Sequence, residues 1–115
     1  IVKEKYISTN GGAYKYDGSK LSNISENDGL CNNYVNNILE DSHGNMWFST
    51  THNGVCVFSN QSFKNISAFD VLKEKEVWEI FEDSKGNMWI SVKHEGIYKY
   101  DGNSYRIGYA DEITF

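Results

Sequence analysis

Short apolar runs, separated by polar turns that end in glycine, set the rhythm of this chain. Residues 35–66 show it most clearly. Val35 to Glu40 predicts a strand A, and the turn Asp41-Ser-His-Gly44 follows it. Met46 to Thr50 predicts strand B, and Thr51-His-Asn-Gly54 a second turn. Val55 to Phe58 predicts strand C, and the polar turn Ser59-Asn-Gln-Ser62 leads to a strand D at Phe63 to Ile66. Ser67 to Glu76 connect to the next strand A at Val77. Runs of this length bounded by Gly, Asn, Asp and Ser are strand and hairpin signals. Gly44 and Gly54 end turns that require a positive φ, where a side chain's Cβ would clash. Asp41 opens its turn, where a carboxylate accepts backbone N–H bonds. Strand A does not alternate: Ile38 and Leu39 are adjacent apolar residues, as are Ile80 and Phe81. A strand with both faces apolar belongs to a sheet covered on both sides.

The pattern repeats. Asp41-Ser-His-Gly-Asn-Met-Trp47 returns as Asp83-Ser-Lys-Gly-Asn-Met-Trp89, identical at six of seven positions with an offset of 42. The same offset joins Gly12, Gly54 and Gly96; Tyr16, Phe58 and Tyr100; and Leu21, Phe63 and Tyr105. Four short strands in a period of about 42 residues predict an all-β fold of β-propeller blades, each a four-stranded antiparallel sheet. The chain holds about three. Blade 1 is partial (1–24), blade 2 spans 35–66 and blade 3 spans 77–107, within a single propeller segment over 1–115. In blade 1, Lys5 to Thr9 fills strand B with Tyr6 in the tryptophan slot, Ala13 to Tyr16 fills strand C and Leu21 to Ile24 strand D, while strand A is missing. Trp47 and Trp89 are the expected anchors between blades, each burying on the order of 150–250 Å². A closed propeller has roughly 4–8 blades. Three would leave two blade faces open, so closure is expected either within a longer chain or by assembly of copies, a dimer being favoured.

Composition narrows the function. Sixteen acidic against eleven basic residues give a net charge of −5, and Arg106 is the only arginine. A nucleic-acid surface needs clustered positive charge, and none is visible, so no nucleic-acid partner is expected. No apolar run approaches the ~18 residues of a membrane span, so no membrane insertion of this segment is expected. Cys31 and Cys56 lie far apart and form no CxxC, and the three histidines (His43, His52, His94) make no zinc signature. Two free thiols are the expectation, with a disulfide or a metal role as alternatives. The chain carries no GxSxG, HExxH, Walker A or GxGxxG motif, and no cofactor, metal or catalytic residue is assigned. The Asp-Ser-x-Gly-Asn turns lack the alternating acidic ligands a calcium loop needs. Glu40-Asp41 and Glu82-Asp83 recur with the repeat and read as scaffold.

The motif Val-x-x-Ile-x-x-Asp-Ser-x-Gly-Asn-x-Trp, continuing to Gly54-Val55 and Phe58, resembles the two-component regulator propeller repeat. Asp28-Gly-Leu30 ahead of Asn33-Tyr34-Val35 looks like that family's inter-blade step. The resemblance implies the sensor region of a bacterial hybrid histidine kinase, an extracytoplasmic location at the periplasm or cell surface, and often polysaccharide-derived signals. The repeat is also similar to that of streptogramin-lyase propellers, and only loosely to the sialidase-type Asp box. Ligand-binding candidates are the positions where the copies differ while the scaffold repeats. These are Trp78 in the slot of Asn36, His52 and Asn53 against His94 and Glu95, and Asn33 and Tyr34 in the inter-blade step. Aromatic and amide groups around a shallow pocket suit a carbohydrate or peptide ligand. The reading is a non-catalytic module binding a ligand or partner; a lyase-type enzyme and a purely structural assembly domain are the rivals.

Overall fold

The computed structural model of the chain describes residues 4–64 and 66–114. Residues 1–3 of the expected blade 1, Asn65 in the expected strand D and Phe115 lie outside the described residues. Eleven strands form among them: β1 (Lys5–Thr9), β2 (Gly12–Tyr16), β3 (Leu21–Ile24), β4 (Val35–Glu40), β5 (Met46–Thr50), β6 (Val55–Ser59), β7 (Ser62–Lys64), β8 (Val77–Glu82), β9 (Met88–Val92), β10 (Gly96–Tyr100) and β11 (Tyr105–Ile107). They make three meandering antiparallel sheets: β1-β2-β3, β4-β5-β6-β7 and β8-β9-β10-β11. The first lacks strand A, as the sequence indicates. β7 stops at Lys64, short of the expected Ile66, because Ile66 begins a 3-10 turn, Ser67–Leu72, and packs against the core.

Adjacent side chains of one strand serve different interfaces. Phe48 joins Ala13, Leu30, Val35 and Cys56 in a core between the first and second sheets. Its neighbour Trp47 joins Val57, Phe69, Val77 and Ile90 in a core between the second and third. Ile38 and Leu39 divide the same way, one packed against each core. This is the physical reason strand A carries two apolar residues in a row. Phe48 and Ile90 are wholly buried, each contributing about 1.5–3 kcal/mol by leaving water.

The Asp turns do more than cap a hairpin. Asp83 Oδ1 accepts the backbone N–H groups of Lys85 and Asn87, both at 3.0 Å, while Oδ2 accepts the Trp89 indole N–H at 2.9 Å and an Asn87 amide N–H at 3.4 Å. Asp41 repeats the arrangement with His43, Asn45 and Trp47. One carboxylate thus fixes both the turn and the tryptophan six residues on. Burial alone would raise the Asp83 carboxyl, but the Trp89 indole and the turn amides outweigh it and hold it at about 2.

Consecutive blades are stitched through the backbone. Gly12 N donates to Asn33 O at 2.6 Å, and Gly54 N donates to Lys75 O at 2.9 Å. Each bond ties a B–C turn to the step leading into the following blade. At Gly54 (φ 69) a Cβ would meet Leu72 O at 2.6 Å, so only glycine lets the step come this close. Trp47 anchors two blades as expected, with ring centroids 5.6 Å from Phe69 and 6.2 Å from Tyr100. Trp89 is covered instead by Gly108, in the segment after β11, and by Lys99, whose Nζ lies 5.8 Å from the ring centroid.

The expectation of two free thiols is corrected. Cys31 and Cys56 form a disulfide, with Cα atoms 6.0 Å apart, and no free cysteine remains. The step that carries Cys31 folds back along β6, which brings residues 25 positions apart in sequence into contact.

Candidate functional site

The B–C turns, the inter-blade steps and the starts of the A strands gather at one end of the blades. Thr51 N donates to Tyr34 O, and in the next blade Lys93 N donates to Glu76 O, both at 2.9 Å. A bulge between Val35 and Asn37 lets Asn36 leave the ladder. Its amide donates to Val77 O at 2.7 Å across the blade boundary, and its carbonyl accepts the Thr51 hydroxyl at 2.9 Å. Ser49 adds a second bond to the next blade, donating to Trp78 O at 3.0 Å. These bonds hold the ends of β4 and β8 side by side.

On this frame stand three of the residues picked out from the sequence. Tyr34 and His52 meet edge to face, ring centroids 5.1 Å apart, and Tyr34 is 47% exposed. Trp78 is 49% exposed, and its indole N–H donates to the Glu76 carboxylate. That bond, with Lys93 at 3.4 Å and the nearby charge of His52, holds the Glu76 carboxyl below its usual range. Tyr34, His52, Glu76, Trp78 and Lys93 therefore form one group spanning the second and third blades.

The other candidates have different work. Asn53 is a clamp: its amide donates to Cys31 O at 3.1 Å and its carbonyl accepts Glu74 N at 3.1 Å, joining two steps. Asn33 exchanges two 2.8 Å bonds with Glu26, one through its backbone N–H and one through its side-chain carbonyl. Both asparagines are positioning residues for the loops. His94 and Glu95 belong to a second group around Lys75. Glu95 takes an ion pair from Lys75 at 2.6 Å and a hydrogen bond from Tyr98 at 3.1 Å, and Lys75 holds its carboxyl low. His94 is exposed and adopts a φ of 66°. Sequence reasoning missed Glu76 and Lys93 as site members. The signal for Glu76 was its place two residues before Trp78, because i and i+2 share a side of an extended segment.

The site offers an exposed indole, a phenol with an imidazole at its side, and a carboxylate and an ammonium at the rim. Such a surface stacks on a flat apolar ring and hydrogen-bonds around its edge. A proton-transfer role fits poorly. A catalytic acid is a carboxyl raised by burial, whereas Glu76 is half-exposed and lowered. Among the described residues no group of three or more His, Cys, Asp or Glu gathers as metal ligands, and no helix is long and apolar enough to cross a membrane.

Sheets of this kind, stacked face to face at a 42-residue period, define a run of β-propeller blades. Residues 29–52 and 72–94 match the family described as two component regulator propeller, so the chain carries that repeat twice. Each match runs from the step through strands A and B to the histidine of the B–C turn, and so takes in Asn33, Tyr34 and His52 in one copy and Glu76, Trp78 and His94 in the other. Among solved structures, the chain is similar to the extracellular domain of a hybrid two component system from B. thetaiotaomicron, with a TM-score of 0.74 and 25% identity over 92% of this chain. The chain spans 14% of that protein's length. No curated protein matches it.

Proposed function

We propose that this chain is a ligand-binding propeller module from the sensor region of a bacterial two-component signalling protein, placed outside the cytoplasm, and that it performs no catalysis. The repeat and the likeness to an extracellular sensor domain support the setting. The Cys31–Cys56 disulfide supports it independently, because such bonds persist in oxidising compartments. The observation that carries the binding role is the exposed pairing of Trp78 with Glu76 beside Tyr34 and His52. A buried scaffold tryptophan, such as Trp47, is anchored by a turn aspartate and covered by neighbours. Trp78 is neither. The ligand class that fits is a carbohydrate, whose ring face stacks on Trp78 and Tyr34 while its hydroxyls bond to Glu76, His52 and Lys93.

The test is calorimetric titration with a panel of defined oligosaccharides, followed by tryptophan emission. A binding member of the panel is expected to shift the emission, and Trp78→Ala is expected to weaken its binding at least tenfold without changing the circular dichroism. Binding that survives Trp78→Ala unchanged, or a panel that gives no heat at millimolar sugar, overturns the assignment.

A further inference from the structure

The second and third blades show what each face of this repeat requires. The face a blade turns to its predecessor carries Phe48, Phe58 and Phe63 in blade 2 and Ile90, Tyr100 and Tyr105 in blade 3, in the same strand register. In blade 3 this face seats against Trp47 and the step residue Phe69: Tyr100 lies 4.7 Å and Tyr105 5.9 Å from Phe69, centroid to centroid. Phe48 and Ile90 are fully covered.

In blade 1 the same register positions hold Ile7, Tyr16 and Leu21, exposed at 53%, 41% and 57%. At the other end, blade 3 turns outward the face that blade 2 turns to blade 3. Trp89 stands in the slot of Trp47, and Ile97 (44% exposed) in the slot of the buried Val55. With Ile113, from the segment after β11, they line a hollow of about 180 Å³. That segment crosses Trp89 as the 66–72 segment crosses Trp47, so the outer face of blade 3 is already dressed as a forward-facing interface.

We infer that these two faces are complementary and that a second copy of this chain fills them head to tail, with Tyr16 and Leu21 of one copy against Trp89, Ile97 and Ile113 of the other. The template is the internal junction between blades 2 and 3, in which each exposed residue named has a covered counterpart. Copy number decides the occupant. Two copies in a twofold ring give two identical junctions and six blades, inside the roughly 4–8 a propeller accommodates, and leave no face open. Three copies would exceed that range. This inference is independent of the ligand reading.

The experiment is light scattering on the 115-residue chain and on two single-face variants, Leu21→Asp and Ile97→Asp. Wild type is expected at twice the 13.2 kDa chain mass. Each variant alone is expected to be a folded monomer by circular dichroism. An equimolar mixture is expected to recover a one-to-one pair, because one intact face remains on each partner. A monomeric wild type at several hundred micromolar overturns the proposal. So does a dimer that survives in either variant alone, since an interface between like faces would do that. Should an aspartate variant unfold, Leu21→Ser and Ile97→Ser give the same three readings.

Discussion

Replacing Asp83 by Asn isolates what the turn carboxylate contributes. The side chain is 5% exposed and accepts four hydrogen bonds from Lys85, Asn87 and Trp89. An amide of the same shape keeps one acceptor oxygen and turns two N–H groups toward donors. With the oxygen kept on the turn amides, the Trp89 indole N–H and the Asn87 amide face a donor; Asn87 can rotate its own oxygen to accept, but the indole cannot. One buried donor left unsatisfied costs about 1–3 kcal/mol, and the two turn bonds fall from charged to neutral strength. Together the expected loss is about 2–4 kcal/mol at pH 7. Asp41→Asn, at a half-exposed turn of the same sequence, is expected to lose about half as much, because water replaces the missing acceptor. The assay is urea unfolding followed by tryptophan emission, at pH 7 and at pH 2.5. The Asp83 carboxyl is lowered from 3.8 to about 2 in the fold. Its contribution is therefore complete above pH 4 and is lost as pH falls from about 4 toward 2. Wild type and Asp83→Asn should accordingly converge at the acid end. A loss below 0.5 kcal/mol at pH 7, or a gap that stays constant down to pH 2.5, refutes the reasoning.

Three further outcomes follow from the same packing. Tyr105 carries a buried hydroxyl with no hydrogen-bond partner, and burial raises its ionisation; Tyr105→Phe is expected to be neutral or to stabilise by up to about 1 kcal/mol in urea unfolding. Trp47→Ala, which empties the junction of blades 2 and 3, is expected to cost about 3–5 kcal/mol by the same measurement. Cutting the Cys31–Cys56 link, by Cys56→Ser with Cys31→Ser or by a dithiol reductant, opens a 25-residue loop and is expected to cost about 3.5 kcal/mol in the chain-entropy treatment, read as a lower urea midpoint.

The strands and their turns were legible because they depend on neighbours in sequence. Gly44 and Gly86 have the positive φ that their turns required, and the paired apolars of strand A divide between two cores. The disulfide was not legible. Cys31 and Cys56 meet only because the Gly29–Tyr34 step doubles back on β6, and nothing local to either residue records that return. The candidate site was half legible. Trp78 and Tyr34 stand out as large aromatics in variable slots, and both are exposed. Asn33 and Asn53 occupy variable slots too, yet the structure uses them to clamp loops; an asparagine's side chain offers donors and acceptors whichever task it serves, so its identity alone cannot separate the two.

Each blade also has an unlike front and back. The front offers a tryptophan hooked by an aspartate and the step that crosses it; the back offers an aliphatic residue and two rings that seat against them. Such a unit can be added or removed only whole and only in one orientation, like a link with a plug at one end and a socket at the other. Its cohesion depends on the neighbours on either side rather than on one shared centre. The array should therefore loosen from its ends inward. Amide protons of β1–β3, covered on one face only, are expected to exchange well before those of β4–β7, which are gripped from both sides.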